Sequence, residues 1–382
     1  MRGLYIHIPF CQTRCFYCDF VTTAKHSSLL RSRFFEAIAA EIKQARDRHG
    51  SLSFDTLYLG GGTPSSLTIP ELECLTEWVR SEFRFSEGFE FTCEFNPGDG
   101  DEAKLKALRE MGVNRISLGC QSFQDTILKK LGRRHTVKDI ETAISNIRQA
   151  GISNISFDLM LRLPGQTVED FRDSVRLCVD LGASQVSLYD LEVHGKTPFG
   201  ELQQKEELDL PAEEEHARMY ESAIEILIAA GYEHYEISNF AKPGSASRHN
   251  LLYWHNQEYL GLGPGAFTYL NGVRSQFAPG LARYLEKCEA KDWANDVEDP
   301  LSAEEQETET FITGLRLCEG VVPADFRRIY PRFKDRLKTL YDEGLLEVCE
   351  KNSRLTARGK FLAEDVFSYL LRKDNSFGAV LL

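Results

Sequence analysis

Residues 4–20 read LYIHIPFCQTRCFYCDF, and the order of parts within them sets the fold. Leu4–Ile8 is an apolar run of strand type, and it passes directly into a loop where Cys11, Cys15 and Cys18 fall within eight residues. Thiolates are the usual ligands of iron–sulfur clusters, and a cubane needs four ligands to saturate it. Three local thiols leave one iron open to an outside ligand. Zinc is the alternative occupant, but structural zinc takes four ligands, commonly as two pairs. No second CxxC follows, although His7 and Asp19 would complete a set.

Outward from this loop, short β-rich runs alternate with longer amphipathic stretches, which is βα grammar. Strands are predicted at Leu4–Ile8, Thr56–Leu59, Phe89–Glu94, Arg115–Leu118, Asn154–Asp158 and Gln185–Leu191, with helices at Leu29–His49, Pro70–Phe83, Glu102–Met111, Val137–Ala150 and Val168–Leu181. Thr68, Thr136 and Thr167 are N-cap candidates, each with an acidic residue three positions on. Gly112, Gly151, Gly182 and Gly231 stand where helices should stop. Six strands joined by crossover helices imply a parallel sheet that curls or closes, an α/β partial (β/α)6 barrel.

Beyond residue 200 the pattern changes. Glu201–Glu215 reads as an acidic loop entering a helix at Ala212–Ala230, and Tyr232–Asn271 as strands and loops on the barrel edge. The polar stretch Lys291–Pro300 suggests a boundary, giving units 1–290 and 300–382. In the second unit, helices, a hairpin around Gly344–Val348 and Arg354–Thr356, and a last helix suggest a small winged-helix-like domain.

Composition narrows the classes of function. The 382 residues carry 58 acidic and 45 basic side chains, a net charge of −13 that opposes general binding to nucleic-acid phosphates or anionic membranes. No run approaches the ~20 apolar residues of a spanning helix, and a strand-like segment beginning almost at Met1 leaves no room for a signal peptide. A cytoplasmic protein is expected. In that compartment ten cysteines are not a disulfide framework. Cys74, Cys93, Cys120, Cys178, Cys288, Cys318 and Cys349, scattered singly, read as small core residues.

Functional groups of barrel folds gather at the C-terminal ends of strands. There the sequence places Gly60–Gly61–Gly62–Thr63–Pro64, Glu94, Gln121 and Asp158, with Arg133 beyond a short helix. Each carboxylate alone reads equally as a loop cap, and Arg133 alone as a surface charge. Together they suit the amine, ribose and carboxylate of one ligand.

The CxxxCxxC loop after an N-terminal strand resembles the radical-SAM superfamily. That resemblance implies a [4Fe–4S] cluster on Cys11, Cys15 and Cys18, its open iron chelated by S-adenosylmethionine (SAM). Tyr5, Tyr17, Gly61, Gly62, Thr63, Glu94, Gln121, Arg133 and Asp158 are the implied SAM contacts. Within the superfamily, Tyr5–Cys11, Gly60–Pro64, Asn96–Pro97–Gly98, Gly119–Phe123, Leu163–Thr167 and the segment from Glu307 resemble the oxygen-independent coproporphyrinogen III oxidase group. The oxidase itself carries a fourth cysteine two residues after the third, where this chain has Phe20. The form CxxxCxxC-D-F is similar to the haem-chaperone branch, the HemW family.

His249–Asn250–Leu251–Leu252–Tyr253–Trp254 matches that branch's HNxxYW word, which implies a haem site at His249, Asn250, Tyr253 and Trp254. Imidazole is a usual haem ligand and aromatic rings pack on the macrocycle. Without the resemblance, His249 reads as a structural histidine. Haem and haem-accepting proteins are the implied partners, with a homodimer as one expectation of assembly. The rival readings are a coproporphyrinogen III oxidase and a radical-SAM enzyme acting on haem. The chain departs from the branch at Phe267, where a histidine is usual, at Arg162, where a glycine is common, and at Glu192–Pro198.

Overall fold

The computed structural model of the protein describes residues 1–24, 26–349 and 351–371. The barrel half runs β1 (Gly3–Ile8), α1 (Ser28–His49), β2 (Ser53–Gly61), α2 (Ile69–Glu82), β3 (Arg84–Phe95), α3 (Glu102–Glu110), β4 (Arg115–Gln121), α4 (Asp125–Lys130), α5 (Val137–Gln149), β5 (Asn154–Leu161), α6 (Val168–Asp180) and β6 (Gln185–Asp190). Strands β1 to β6 lie side by side in chain order, every neighbouring pair parallel. Thr68, Thr136 and Thr167 each form a complete capping box, with Glu71, Asp139 and Asp170. The local chemistry that starts each of these helices is therefore written in the sequence.

Alternation along the strands separates an apolar outside from a polar lumen. Leu4, Ile6 and Ile8 of β1, Leu57 and Leu59 of β2, Phe91, Cys93 and Phe95 of β3, and Ile116 and Leu118 of β4 join the helices in one buried core. The residues between them face inward and meet across strands. Tyr58 donates to Glu94 (3.0 Å), Ser117 to Asp158 (2.8 Å), and the hydroxyls of Ser156 and Ser187 lie 3.1 Å apart. A (β/α) barrel usually fills its interior with branched apolar side chains. Here the lumen is built from hydroxyls, a phenol and carboxyls.

The chain continues through α7 (Pro198–Gln204), α8 (Glu213–Ala229), β7 (Glu233–Glu236), β8 (Asn239–Ala241), α9 (Arg248–Trp254), β9 (Tyr259–Leu262), β10 (Phe267–Leu270), β11 (Val273–Gln276), α10 (Leu281–Ala290) and β12 (Val297–Pro300). β8 adds antiparallel to β6, and β9 adds parallel to β1 and leads the hairpins β10–β12, making one sheet of twelve strands. Two expectations change here. Glu201–Gln204 lies in a helix rather than a loop, because Thr197 caps it through the Gly200 amide (3.1 Å) with Pro198 in its first turn. The polar Val297–Pro300 is a strand paired with β11, not a linker.

A second core fills α11 (Ala303–Gly314), α12 (Tyr330–Asp342), the hairpin β13 (Leu346–Cys349) and β14 (Asn352–Leu355), α13 (Ala357–Phe361) and α14 (Ala363–Leu371). Phe311 and Phe333 stack at its centre, with ring centroids 5.4 Å apart. The end of the expected unit, 372–382, lies outside the described residues. Of the scattered cysteines, Cys93, Cys120, Cys178 and Cys288 are buried, Cys318 is half-buried and Cys74 is exposed. The Cys349 side chain is outside the described set.

Candidate functional site

Cys11 is buried, whereas Cys15 and Cys18 are partly exposed. Main-chain bonds fix their loop: Cys11 N to Thr23 O (3.0 Å), Phe16 N to Leu131 O (3.1 Å) and Cys18 N to Cys15 O (3.2 Å). Burial pushes the Cys11 thiol up to about 11 and raises Cys18, so a cationic centre is what would hold them as thiolates. Among the described residues, no group of three or more His, Cys, Asp and Glu side chains is placed to hold a single ion. A cubane presents a separate iron to each thiolate, so three thiols on one loop with no second cysteine pair suit it better than they suit zinc.

Four hydrogen bonds link the first two cysteines through three other loops. Thr63 Oγ1 donates to Cys11 Sγ (3.4 Å), Asn96 Nδ2 to Thr63 Oγ1 (3.0 Å), Arg133 Nη2 to Asn96 Oδ1 (2.7 Å) and Arg133 Nη1 to Cys15 Sγ (3.4 Å). Arg133 also donates to Gly119 O (2.8 Å). It is thus a half-buried cation held beside sulfur, not a free surface charge. Sequence reasoning gave Asn96 no role. The signal was its place directly after β3, in Asn96–Pro97–Gly98.

Gly61 has φ +105°, and a side chain there would lie 2.5 Å from the His7 ring. One at Gly62 would lie 2.7 Å from Ile8 O. These glycines let β2 close on β1 and aim the Gly61 amide at Glu94 Oε2 (3.0 Å). Burial pushes the Glu94 carboxyl up to about 7 and raises Asp158 as well. Burial works against the charge on both carboxyls, and a cationic ligand would favour it again. Asp158 does not end its strand as expected, since β5 continues to Leu161. It interrupts the apolar run because it occupies a lumen position, bonded by Ser117 and by Ser156 (3.2 Å). Gln121 has φ +64° where the β4–β5 register shifts. Tyr5 lies 3.2 Å from His7 Nδ1 and against Tyr58, and Tyr17 packs in the loop with its phenol raised by burial.

The HNxxYW word is elsewhere. It forms α9, a helix and not a loop, which closes the opposite end of the barrel. Glu90, in β3 opposite Thr56 of β2, receives the Arg248 and His249 amides (2.9 and 3.1 Å). His249 is 1% exposed; its Nδ1 is 2.7 Å from Thr56 Oγ1 and its Nε2 2.9 Å from the Tyr253 hydroxyl. A side chain on Gly3, where β1 begins, would come within 3.1 Å of its ring. At about 3.3 Å per residue, that level is roughly 17 Å from the Ile8 end where the cysteine loop starts. Neither nitrogen is free for iron in this arrangement, so the expected ligand is occupied in holding the barrel floor. Asn250 lies in the first turn, its amide bonded to Ser247 (3.2 Å), and Trp254 packs under the Arg316 guanidinium (4.2 Å) of the C-terminal unit.

A three-cysteine loop at the mouth of a partial (β/α)6 barrel defines the radical-SAM class, and the profile of the Radical SAM superfamily matches residues 5–178. That of the HemN C-terminal domain matches 301–362. Coproporphyrinogen III oxidase (HemN) from Escherichia coli shares the fold, with a TM-score of 0.84 at 21% identity, covering 97% of this chain and 89% of that one. Heme chaperone HemW of Bacillus subtilis (strain 168) is 38% identical, over 97% of this chain and 99% of that protein. The namesake proteins of Lactococcus lactis subsp. lactis (strain IL1403) and Escherichia coli (strain K12) are 37% and 30% identical, covering 98% and 97% of this chain and 99% and 98% of theirs. The chain belongs to the heme chaperone HemW family.

Proposed function

We propose that this protein is a haem chaperone, which binds haem and passes it to a haem-requiring protein. Membership of the HemW family carries the reading. In it, Cys11, Cys15 and Cys18 hold a [4Fe–4S] cluster, with Thr63 and Arg133 donating to two of the sulfurs. SAM takes the lumen edge formed by Tyr5, Tyr17, Gly61, Gly62, Thr63, Glu94, Gln121, Arg133 and Asp158. When bound, the cluster supplies an open iron for SAM and a reducible centre.

The residues themselves bind and orient. Glu94 and Asp158 receive positive charge, and Arg133 offsets the negative charge of thiolate-bound iron. Phe20, two residues past Cys18, adds no fourth thiol and is 67% exposed. The barrel unit, expected over 1–290 and extended by β12 to Pro300, carries the cofactors, and the C-terminal unit that follows packs Arg316 on Trp254 of the floor helix. Among the described residues no helix is long and apolar enough to cross a membrane. A cytoplasmic location and a homodimer complete the proposal.

The test is anaerobic reconstitution followed by two assays. Haem should be retained through gel filtration and then lost to an apo haem protein. Coproporphyrinogen III with SAM and a strong reductant should stay unconverted. Many turnovers of that substrate would replace the chaperone by the oxidase.

A further inference from the structure

A protein that takes haem from solution needs a ligand atom with a free lone pair and an apolar face for the ring. His249 offers no free nitrogen. Elsewhere, His7 bonds Val21 O (2.8 Å), His135 and His216 are buried, and His234 stacks on Phe240 with ring centroids 4.0 Å apart. His26 lies against Phe10, and His49 is at the outer end of α1. His194 and His255 remain.

His194 is at the barrel mouth, in the segment after β6. Its side chain is 43% exposed, with Nδ1 3.7 Å from Asp19 Oδ2 and Nε2 3.4 Å from Glu192 Oε2. Asp19 directly follows Cys18. Asp19 is within ion-pairing distance of Nδ1, and a carboxylate that closes on that nitrogen would make the other the stronger metal ligand. Glu192 is itself 67% exposed and free to leave Nε2 when iron arrives.

The apolar face is at the same end. Ten large apolar side chains are exposed among the described residues, and two of them, Phe16 and Phe20, belong to the cysteine loop at the mouth. Phe16 and Phe20 flank Cys18. Single exposed rings are ordinary on a protein surface. Phe20 directly follows Asp19, whose carboxylate is 3.7 Å from His194, so an exposed ring and a partly exposed imidazole stand close together, as a metalloporphyrin requires. Lys196, exposed two residues on, supplies a cation for a propionate.

We propose that His194 is the ligand for haem iron and that the exposed ring of Phe20 forms the surface on which the porphyrin rests. This rests on the haem-chaperone reading but not on the HNxxYW word. The test uses reconstituted protein incubated with hemin and gel-filtered, with retained haem counted as its pyridine complex and iron ligation read by electron paramagnetic resonance. His194→Ala should lower retention at least about tenfold and erase the histidine-type ferric signal, which added imidazole restores. Phe20→Ser should lower retention and keep the signal. His249→Gln and His255→Ala should keep it too.

Without any substitution, diethyl pyrocarbonate should modify His194 in the free protein and spare it once hemin is bound, while His255 stays reactive. Unchanged ligation in His194→Ala, or loss of the signal in His255→Ala instead, overturns the assignment and leaves haem binding intact. A wild type that retains no haem overturns the chaperone reading itself.

Discussion

His249 Nδ1 lies 2.7 Å from Thr56 Oγ1, inside the barrel and at the end of the strands remote from the cysteines. The same ring stacks on Tyr58 with centroids 5.0 Å apart, and Tyr58 donates to Glu94. A short polar path therefore joins the floor helix to the carboxyl facing the proposed SAM site.

Replacing His249 with Ala leaves the Thr56 and Tyr253 hydroxyls without their partner and opens a cavity beneath Tyr58. The expected cost is roughly 2–5 kcal/mol. Chemical denaturation should show it as a lower midpoint at unchanged slope. Wild-type stability in the variant would mean that α9 is not the floor described above.

The same residue sets an acid limit. Burial lowers His249 to about 3, so the folded protein excludes a proton that the unfolded chain, with an ordinary value of 6.5, takes up. Its contribution is whole above about pH 6.5 and is lost as pH falls toward 3. His249→Gln should flatten stability against pH across that window, and parallel curves for the two proteins would refute it.

Each of Cys11→Ala, Cys15→Ala and Cys18→Ala should abolish the brown chromophore of the reconstituted protein. Asn96→Ala should behave differently, forming the cluster but losing it faster in air, because it breaks the link between Thr63 and Arg133 without removing a thiol. Iron and sulfide analysis over time separates the two. Four irons retained by Cys18→Ala would sink the ligand set.

Much of this was legible in the sequence where one local rule sufficed. The six barrel strands, the three capping boxes and the C-terminal hairpin followed from alternation and capping residues. Asp158 misled because a lumen residue breaks an apolar run just as a strand end does. Val297–Pro300 was hidden because an exposed edge strand needs no apolar residues, only a partner in β11. The hydrogen bonds through Asn96 join residues from positions 11 to 133, and no local pattern marks them. His249 shows the deeper limit: a motif marks a residue as special without saying whether it faces a ligand or the core.

The last prediction concerns Glu94, whose carboxyl is pushed by burial from 4.5 up to about 7. A raised carboxyl favours folding while protonated, so its contribution is present below about pH 4.5 and is lost as pH rises through 7. A cationic ligand acts in the opposite sense, since it pairs best with the ionised carboxylate. SAM affinity should therefore climb as pH passes from about 6 to 8, with a proton released on binding. The ligand's own α-amino group, with an ordinary value of about 7.7–8.0, titrates in the same range and weakens binding as pH rises. The ligand's sulfonium keeps its charge throughout, and comparison with Glu94→Gln at each pH isolates the part of the affinity that depends on the carboxyl. Loss of the charged partner should cost ~1.5–3 kcal/mol at pH 8, about tenfold to a hundredfold in affinity, with little difference between the proteins at pH 6. Calorimetry at several pH values in two buffers of different ionisation heat measures both the affinity and the proton. Equal affinities for wild type and Glu94→Gln at pH 8 would remove Glu94 from the SAM site, and a constant ratio across the range would show that its carboxyl does not titrate there.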